Sequence, residues 1–230
     1  TPRVVKDDEV DAYMNTLKAI VESKPDSISI HMPQALLWLR ELGYSGAIEG
    51  DTGLNIFNGS ALQVWQDFNM SSIAPSLELT LAQLVNLQKS AHLPLEVMVH
   101  GYTEMMISEY CAIASFVGTG KKENCPMPCV TDDYALKDRK GEVFPLRTDP
   151  YCRMHIMNSH EMDMRAYVPE LYRKGLHILR IDGRHMDPHR LRNIVADYVS
   201  IQNGTKEAPP KSVGKDDTPI TRGHYFRGIL

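Results

Sequence analysis

The chain holds little cysteine, four residues in 230. That is too sparse for a disulfide-stapled scaffold, which crowds several bridges into a short secreted chain. No apolar run approaches the ~18 residues that a membrane-crossing helix needs, so no membrane partner is expected. Thr1-Pro2-Arg3 shows neither a signal-peptide pattern nor an initiator Met. The expectations are therefore a cytoplasmic protein and a chain that is part of something longer. A strong charge of one sign is missing too: the net charge of −4 gives no global reason to expect nucleic acid, although a local basic face is compatible with it. Internal repeats and low-complexity tracts are absent. So are the His-Glu-x-x-His zinc motif and the Gly-x-Ser-x-Gly nucleophile elbow.

What cysteine there is falls in one place. Cys111, Cys125 and Cys129 read Cys-x13-Cys-x3-Cys, and Cys152 follows after a charged stretch. In a reducing compartment, gathered thiols more often mean metal or redox chemistry than bridges. Four soft thiolates in one irregular segment suit an iron–sulfur cluster. Structural zinc is the second reading, because its usual Cys-x2-Cys knuckles are missing and Cys125-x3-Cys129 is the only short pair. The third is four unconnected thiols, some buried as small hydrophobes. Pro126 and Pro128 stiffen the segment and lower the entropy cost of presenting two thiolates together. Lys121 and Lys122 lie close enough in sequence to offset thiolate charge.

Around that segment the pattern alternates. Residues 7–24 put Val10, Tyr13, Met14, Leu17 and Val21 on one helical stripe that Pro25 ends. Strands are expected at 27–32, 47–50, 54–58, near 72–75, at 93–100 and at 177–181. Helices are expected at 33–42, at 60–68, from the Thr80/Gln83 capping box onward, from about Pro169 to Gly175, and after Asp187-Pro188. Such alternation predicts an α/β fold with a parallel sheet. Only five or six βα units can be counted, against the ~250 residues of a usual eight-unit barrel. The expectation is a partial or incomplete TIM-barrel-like (β/α) domain over residues 1–202. It carries an irregular cysteine-rich insertion at 102–160, then an exposed linker at 203–219 and a C-terminal motif segment at 220–230.

Several motifs then combine. Glu96-Val97-Met98-Val99-His100-Gly101, with Ser108 and Cys111 after it, resembles the signature of peptidase family U32, the collagenase-like proteases. Asn124-Cys125-Pro126-Met127-Pro128-Cys129, Tyr134-Ala135-Leu136, Ile156-Met157-Asn158-Ser159 and Leu179-Arg180-Ile181-Asp182-Gly183-Arg184 are similar to further elements of that family. So are Leu54-Asn55-Ile56-Phe57-Asn58 and Ser76-Leu77-Glu78-Leu79. The resemblance covers roughly residues 45–228 and suggests the C-terminal part of the family's core domain. The family often has cysteine where this chain has Glu104 and glycine where it has Glu109. Cys152 is the obvious replacement ligand.

The resemblance implies a barrel-related fold and, in several members, a 4Fe-4S cluster on four cysteines. It also implies oxygen-independent hydroxylation of transfer RNA, ribosomal RNA or a small aromatic ring, with a small carboxylate such as prephenate as hydroxyl source. On that reading Cys111, Cys125, Cys129 and Cys152 bind the cluster. Glu96 and His100 at the end of a strand, with Asp182 and Arg184 at the end of another, are the catalytic candidates. The ends of barrel strands are where chemistry is assembled, a histidine such as His100 can shuttle a proton near neutral pH, and Arg184 can clamp a carboxylate or phosphate. Two alternatives stay open. One is a peptidase, as the family name implies. The other is a structural-zinc or RNA-binding module, with Arg180, Arg184, His185, His189, Arg190 and Arg192 as a phosphate-contacting patch. A homologous partner subunit or an upstream barrel half would complete the domain.

Overall fold

The computed structural model describes residues 1–120, 124–211 and 220–228. Lys121 and Lys122, residues 212–219 of the expected linker and the last two residues of the C-terminal segment lie outside the described residues.

The N-terminal half is a run of helix–strand units: α1 (Val10–Glu22), β1 (Ser27–Ile30), α2 (Pro33–Glu41), β2 (Ala47–Gly50), α3 (Gly59–Asp67), β3 (Ser72–Ile73), α4 (Leu81–Ser90) and β4 (Glu96–Gly101). Local chemistry sets most of the boundaries. Pro33 opens α2, where a missing N–H costs nothing. Asn58 caps α3 by accepting from the Ala61 amide. Thr80 and Gln83 form the expected capping box: the Thr80 amide donates to Gln83 Oε1 at 2.8 Å, and the Gln83 amide donates to Thr80 Oγ1 at 3.3 Å. One stretch departs from expectation. Residues 54–58 are not a strand but a one-turn 3-10 helix, Thr52–Leu54, with a loop that seats Ile56 in the core. Leu54, Ile56 and Phe57 carry the apolar signal there, and of these only Ile56 is fully buried.

β1, β2 and β3 pair in parallel, and a parallel bridge from Ile73 to Leu95 leads on to β4. The later strand β10 (Ile178–Ile181) pairs in parallel with the other side of β4. Five parallel strands thus run in the order β1-β2-β3-β4-β10. Between β4 and β10 in sequence lie β5 (Glu104–Ser108), α5 (Ala112–Phe116), β6 (Tyr134–Lys137), β7 (Val143–Thr148), β8 (Met154–Met157), β9 (Glu161–Asp163) and α6 (Val168–Arg173). α7 (Pro188–Gln202) and β11 (Ile220–Thr221) follow. β9 pairs antiparallel with β4 and parallel with β11, so this sheet is mixed. The fold is α/β, with parallel and mixed sheets and no closed barrel among the described residues.

The cysteine region is not the irregular insertion that its sequence suggests. It is largely a four-stranded antiparallel sheet in the order β5-β8-β7-β6. Its buried core is small: Ala112, Ile113, Leu146 and Met154. The main core is separate and runs from Tyr13 in α1 to Tyr225 near the C-terminus, packing the helices onto the parallel strands. No described helix is long and apolar enough to cross a membrane.

Candidate functional site

A cavity of about 600 Å³ opens at the C-terminal ends of the parallel strands. The residue directly after each of the five strands lines it: His31 after β1, Asp51 after β2, Ala74 after β3, Tyr102 after β4 and Asp182 after β10. Side chains emerging there converge because parallel strands all point the same way. Two glycines permit the close packing at these ends. A Cβ on Gly53 would lie 2.5 Å from the His31 carbonyl oxygen. Gly101 adopts φ +116, and a Cβ there would lie 2.5 Å from the Asp182 carbonyl oxygen.

The floor of the cavity is a charged ladder. Arg180 of β10 donates through Nη1 to Asp51 Oδ1 at 2.5 Å and directs its Nε at Glu96. Asp51, almost fully buried, also accepts from the Thr52 amide at 2.7 Å and from Ser29 Oγ at 2.9 Å. Burial alone would raise the Asp51 carboxyl. Arg180, His31 and the Thr52 amide outweigh it and hold the group at about 2. Burial raises Glu96 above the usual carboxylate range against the pull of Arg180, and the neighbouring Asp51 and Glu49 add to the rise. Burial also drives His31 down to about 4, opposed by Asp51 and reinforced by Arg3 and Arg180. His31 is therefore neutral at pH 7.

At the rim Arg184 binds Asp182 through two bonds, Nε to Oδ1 at 2.9 Å and Nη2 to Oδ2 at 2.6 Å. Burial of Asp182 is outweighed by Arg184, so its carboxyl lies below the ordinary range. The antiparallel sheet supplies the far wall with Glu104, Ile107, Asp149, Arg153 and His155. Glu104 accepts from Arg3 Nη1 at 2.9 Å and from His155 Nδ1 at 2.5 Å. Arg153, 1% exposed, donates through Nη2 to both Glu9 oxygens at 2.6 and 2.7 Å and through Nε to Glu109 at 2.5 Å.

Glu96, Asp182 and Arg184 are therefore brought together, and His100 is not. Its ring is buried outside the cavity, with Nε2 3.3 Å from Glu161 and Nδ1 3.3 Å from the Tyr198 hydroxyl. Burial opposes its charge, but Asp163 and Glu161 outweigh that and raise its pKa. The reason lies in the strand partner: β9 puts two carboxylates beside the end of β4 and draws the imidazole to them. Glu96 opens β4 rather than closing it, and it reaches the floor through Arg180. The expected arginine patch is largely neutralised. Arg180 lies inside on Asp51 and Glu96, Arg184 on Asp182, and Arg190 on Glu161. Sequence reasoning missed His31 and Asp51. A signal existed for Asp51, which directly follows the strand expected at 47–50, whereas the strand expected at 27–32 ran through His31 and hid its place after β1.

The cysteines hang from one end of the antiparallel sheet. Ser108 at the end of β5 and Thr148 at the end of β7 both pair with Met154 at the start of β8, and Tyr134 at the start of β6 pairs with Leu146. Cys111 follows β5, Cys125 and Cys129 precede β6, and Cys152 lies in the β7–β8 turn at φ 57. Cys111 and Cys129 pack on the same small core. Cys111 Sγ accepts from the Ala114 amide, and Cys125 Sγ lies 3.1 Å from where a Cβ on Gly118 would stand. Four half-buried thiols on one sheet end fit a four-thiolate group in donor chemistry and in topology. They do not form a closed coordination set. Among the described residues no three His, Cys, Asp or Glu side chains are grouped so as to hold a metal.

Comparison with known proteins gives consistent relatives. The tRNA hydroxylation protein P of Escherichia coli (strain K12) is 23% identical over 215 residues, 75% of this chain and 47% of that protein. The 23S rRNA 5-hydroxycytidine C2501 synthase of the same organism is 27% identical over 135 residues, 57% of this chain and 19% of that one. The tRNA hydroxylation protein P1 of Bacillus subtilis (strain 168) is 19% identical over 201 residues, 84% and 46%. The chain spans about half the length of these tRNA hydroxylation proteins, and less of the rRNA enzyme. No solved structure gives a significant match. The sequence model described as peptidase family U32 matches residues 3–220. That range extends well before residue 45 and is not confined to a C-terminal part. With nearly its whole length accounted for, the chain belongs to peptidase family U32.

Proposed function

We propose that this chain is a working part of an RNA-hydroxylation protein. The strand-end cavity is its substrate site, and Cys111, Cys125, Cys129 and Cys152 carry a 4Fe-4S cluster that supplies electron transfer when bound. The observation that carries the reading is the cavity itself. Its volume is that of a small-molecule or single-base site, and its charged floor is assembled from three strands. A base inside folded RNA reaches such a pocket by leaving its stack. Rim arginines Arg3 and Arg184 suit a phosphate or a small carboxylate such as prephenate as hydroxyl source. The names of the relatives support RNA as the substrate class. The four thiols on one sheet end support the cluster, with zinc as the competing occupant. β1 and β10 each pair on one side with a described strand. Strands from an upstream barrel half or a homologous subunit would fill the gap and complete a TIM-barrel-like ring.

Anaerobic purification tests the cluster. Broad absorbance near ~400 nm and about four irons per chain are expected, both lost on Cys→Ser change at any of the four positions. A colourless protein holding one zinc overturns it. Mass spectrometry of tRNA and rRNA nucleosides from cells carrying Arg180→Met tests the cavity, and an unchanged level of hydroxylated nucleoside overturns that half.

A further inference from the structure

At the cavity floor Arg180 commits its Nη1 to Asp51 and directs its Nε at Glu96. The groups that β1 and β2 present are the Asp51 carboxylate and the His31 ring. His31 Nδ1 is sealed from solvent and faces Asp51 Oδ2 at 3.3 Å, without the alignment of a full hydrogen bond. A lone pair on Nδ1 at that distance would be repelled by the carboxylate, so the proton of the neutral ring belongs on Nδ1. Nε2 is then an acceptor, and no described residue donates to it. Donor–acceptor contacts of this kind are often loose before ligand binds and tighten afterwards.

The backbone that carries the ring is closely packed. The His31 amide donates to Thr1 Oγ1 at 2.9 Å, and a Cβ on Gly53 would stand 2.5 Å from the His31 carbonyl oxygen. Asp51 in turn is fixed by Ser29, Thr52 and Arg180. Such support from behind keeps a contact residue in one rotamer.

We infer that His31 is a ligand-contacting residue, held by Asp51 as the neutral Nδ1–H tautomer, whose Nε2 accepts a hydrogen bond from an amino, imino or hydroxyl donor on a small polar ring in the cavity. The inference rests on the reading of the cavity as the site for the target base. The charged groups facing the ring are Asp51, Arg3 and Arg180, and burial outweighs the one carboxylate among them. A buried site that offers an acceptor discriminates against a ligand lacking the matching donor, because the acceptor is left unpaired.

Nitrogen-15 NMR of the histidine rings in the intact chain reads the tautomer directly. At pH 7 His31 is expected as Nδ1–H with an unprotonated Nε2. An Nε2–H tautomer or an imidazolium at that pH overturns the inference. Two probes read the contact: cytidine, and the pyrimidin-2-one ribonucleoside that lacks the amino group. Cytidine should shift the Nε2 resonance and bind roughly five- to tenfold more tightly. Equal affinities, or no cytidine-dependent shift at Nε2, overturn it. Asp51→Asn should release the tautomer preference, and His31→Ala should erase the difference between the probes. Where His31→Ala does not fold, the tautomer and the two-probe comparison in the unaltered protein decide the matter. Iron content and RNA hydroxylation are measured separately. A wrong tautomer with both intact sinks this inference alone, whereas their loss from the proposed role with the tautomer correct sinks the functional reading alone.

Discussion

The α/β body and the antiparallel sheet are built on opposite balances of force. The body packs aliphatic side chains from six helices and the parallel strands into one continuous core, with Leu17, Ile30, Leu39, Ile56, Leu62 and Leu171 fully buried. The sheet buries four residues in its own core and leaves Tyr110, Phe116, Met127 and Val130 largely exposed. It is tied to the N-terminal segment by charge: Arg153 to Glu9, Arg3 to Glu104 and Lys6 to Glu109. Apolar burial scales with area and resists salt, whereas ion pairs depend on desolvation, pH and ionic strength. The cavity lies where the two meet, with its floor on the body and its far wall on the sheet. The cysteines sit on the weaker partner.

The largest effect should come from truncating the body. Leu39→Ala is expected to lower global stability by about 3–4 kcal/mol in denaturant unfolding, while Leu146→Ala in the sheet should raise hydrogen exchange mainly between Glu104 and Met157. The contrast breaks if Leu146→Ala moves the whole unfolding transition as far as Leu39→Ala does.

Arg153→Met comes next. It strands Glu9 beside an apolar side chain and also releases Glu109, which is half exposed and rehydrates readily. Roughly 2–4 kcal/mol of docking should be lost, seen as exchange in residues 4–9 and 149–157 with the body protected. Uniform loss of protection across both regions would show that the sheet and the body unfold as one.

Titration separates the two regions at smaller amplitude. His155 in the sheet has a raised pKa because of its bond to Glu104, against the effect of burial. Its stabilising contribution is complete below about pH 6.5, the unfolded value, and fades as pH rises through the higher folded value. His31 in the body behaves the other way. Its folded pKa is depressed to about 4, so its favourable contribution is present above about pH 6.5 and is lost as pH falls toward 4. Ring NMR should place the two midpoints on opposite sides of the ordinary value, and a reversed order would refute the assignment of charge to the sheet contact.

The smallest effect is at Lys6. Its pair with Glu109 is between half-exposed side chains, so Lys6→Ala should change stability by no more than about 0.5 kcal/mol, less still in high salt. A loss comparable to that of Arg153→Met would mean that the pair is not screened by solvent.

The helix–strand units were legible where their signals are local. The stripe of α1, the Thr80–Gln83 box and the Asp187-Pro188 start each lie within a few residues of the structure they set. The antiparallel sheet was not legible. Its strands are short and weakly alternating, and Pro145 sits within β7, where a strand reading is ordinarily rejected. At the site, Asp182 and Arg184 could be picked out as charged residues at a strand's end, whereas Glu96, expected at the end of its strand, opens β4. That Arg180 turns inward was beyond reach, because its partner Asp51 is 129 positions away. His100 shows the converse: the same residue type at a strand end was drawn off the cavity by β9.

The amino-acid order by itself determined the α/β alternation, the helix boundaries, the family and the gathering of four cysteines into one stretch, since each is written in neighbouring residues. Only the tertiary structure decided which charged side chains face the cavity, which histidine's pKa falls and which rises, and that a separate small sheet carries the thiols. Those outcomes depend on distant groups meeting where water is excluded. There burial and a partner far along the chain, as Asp51 is for Arg180, set a side chain's place and charge together.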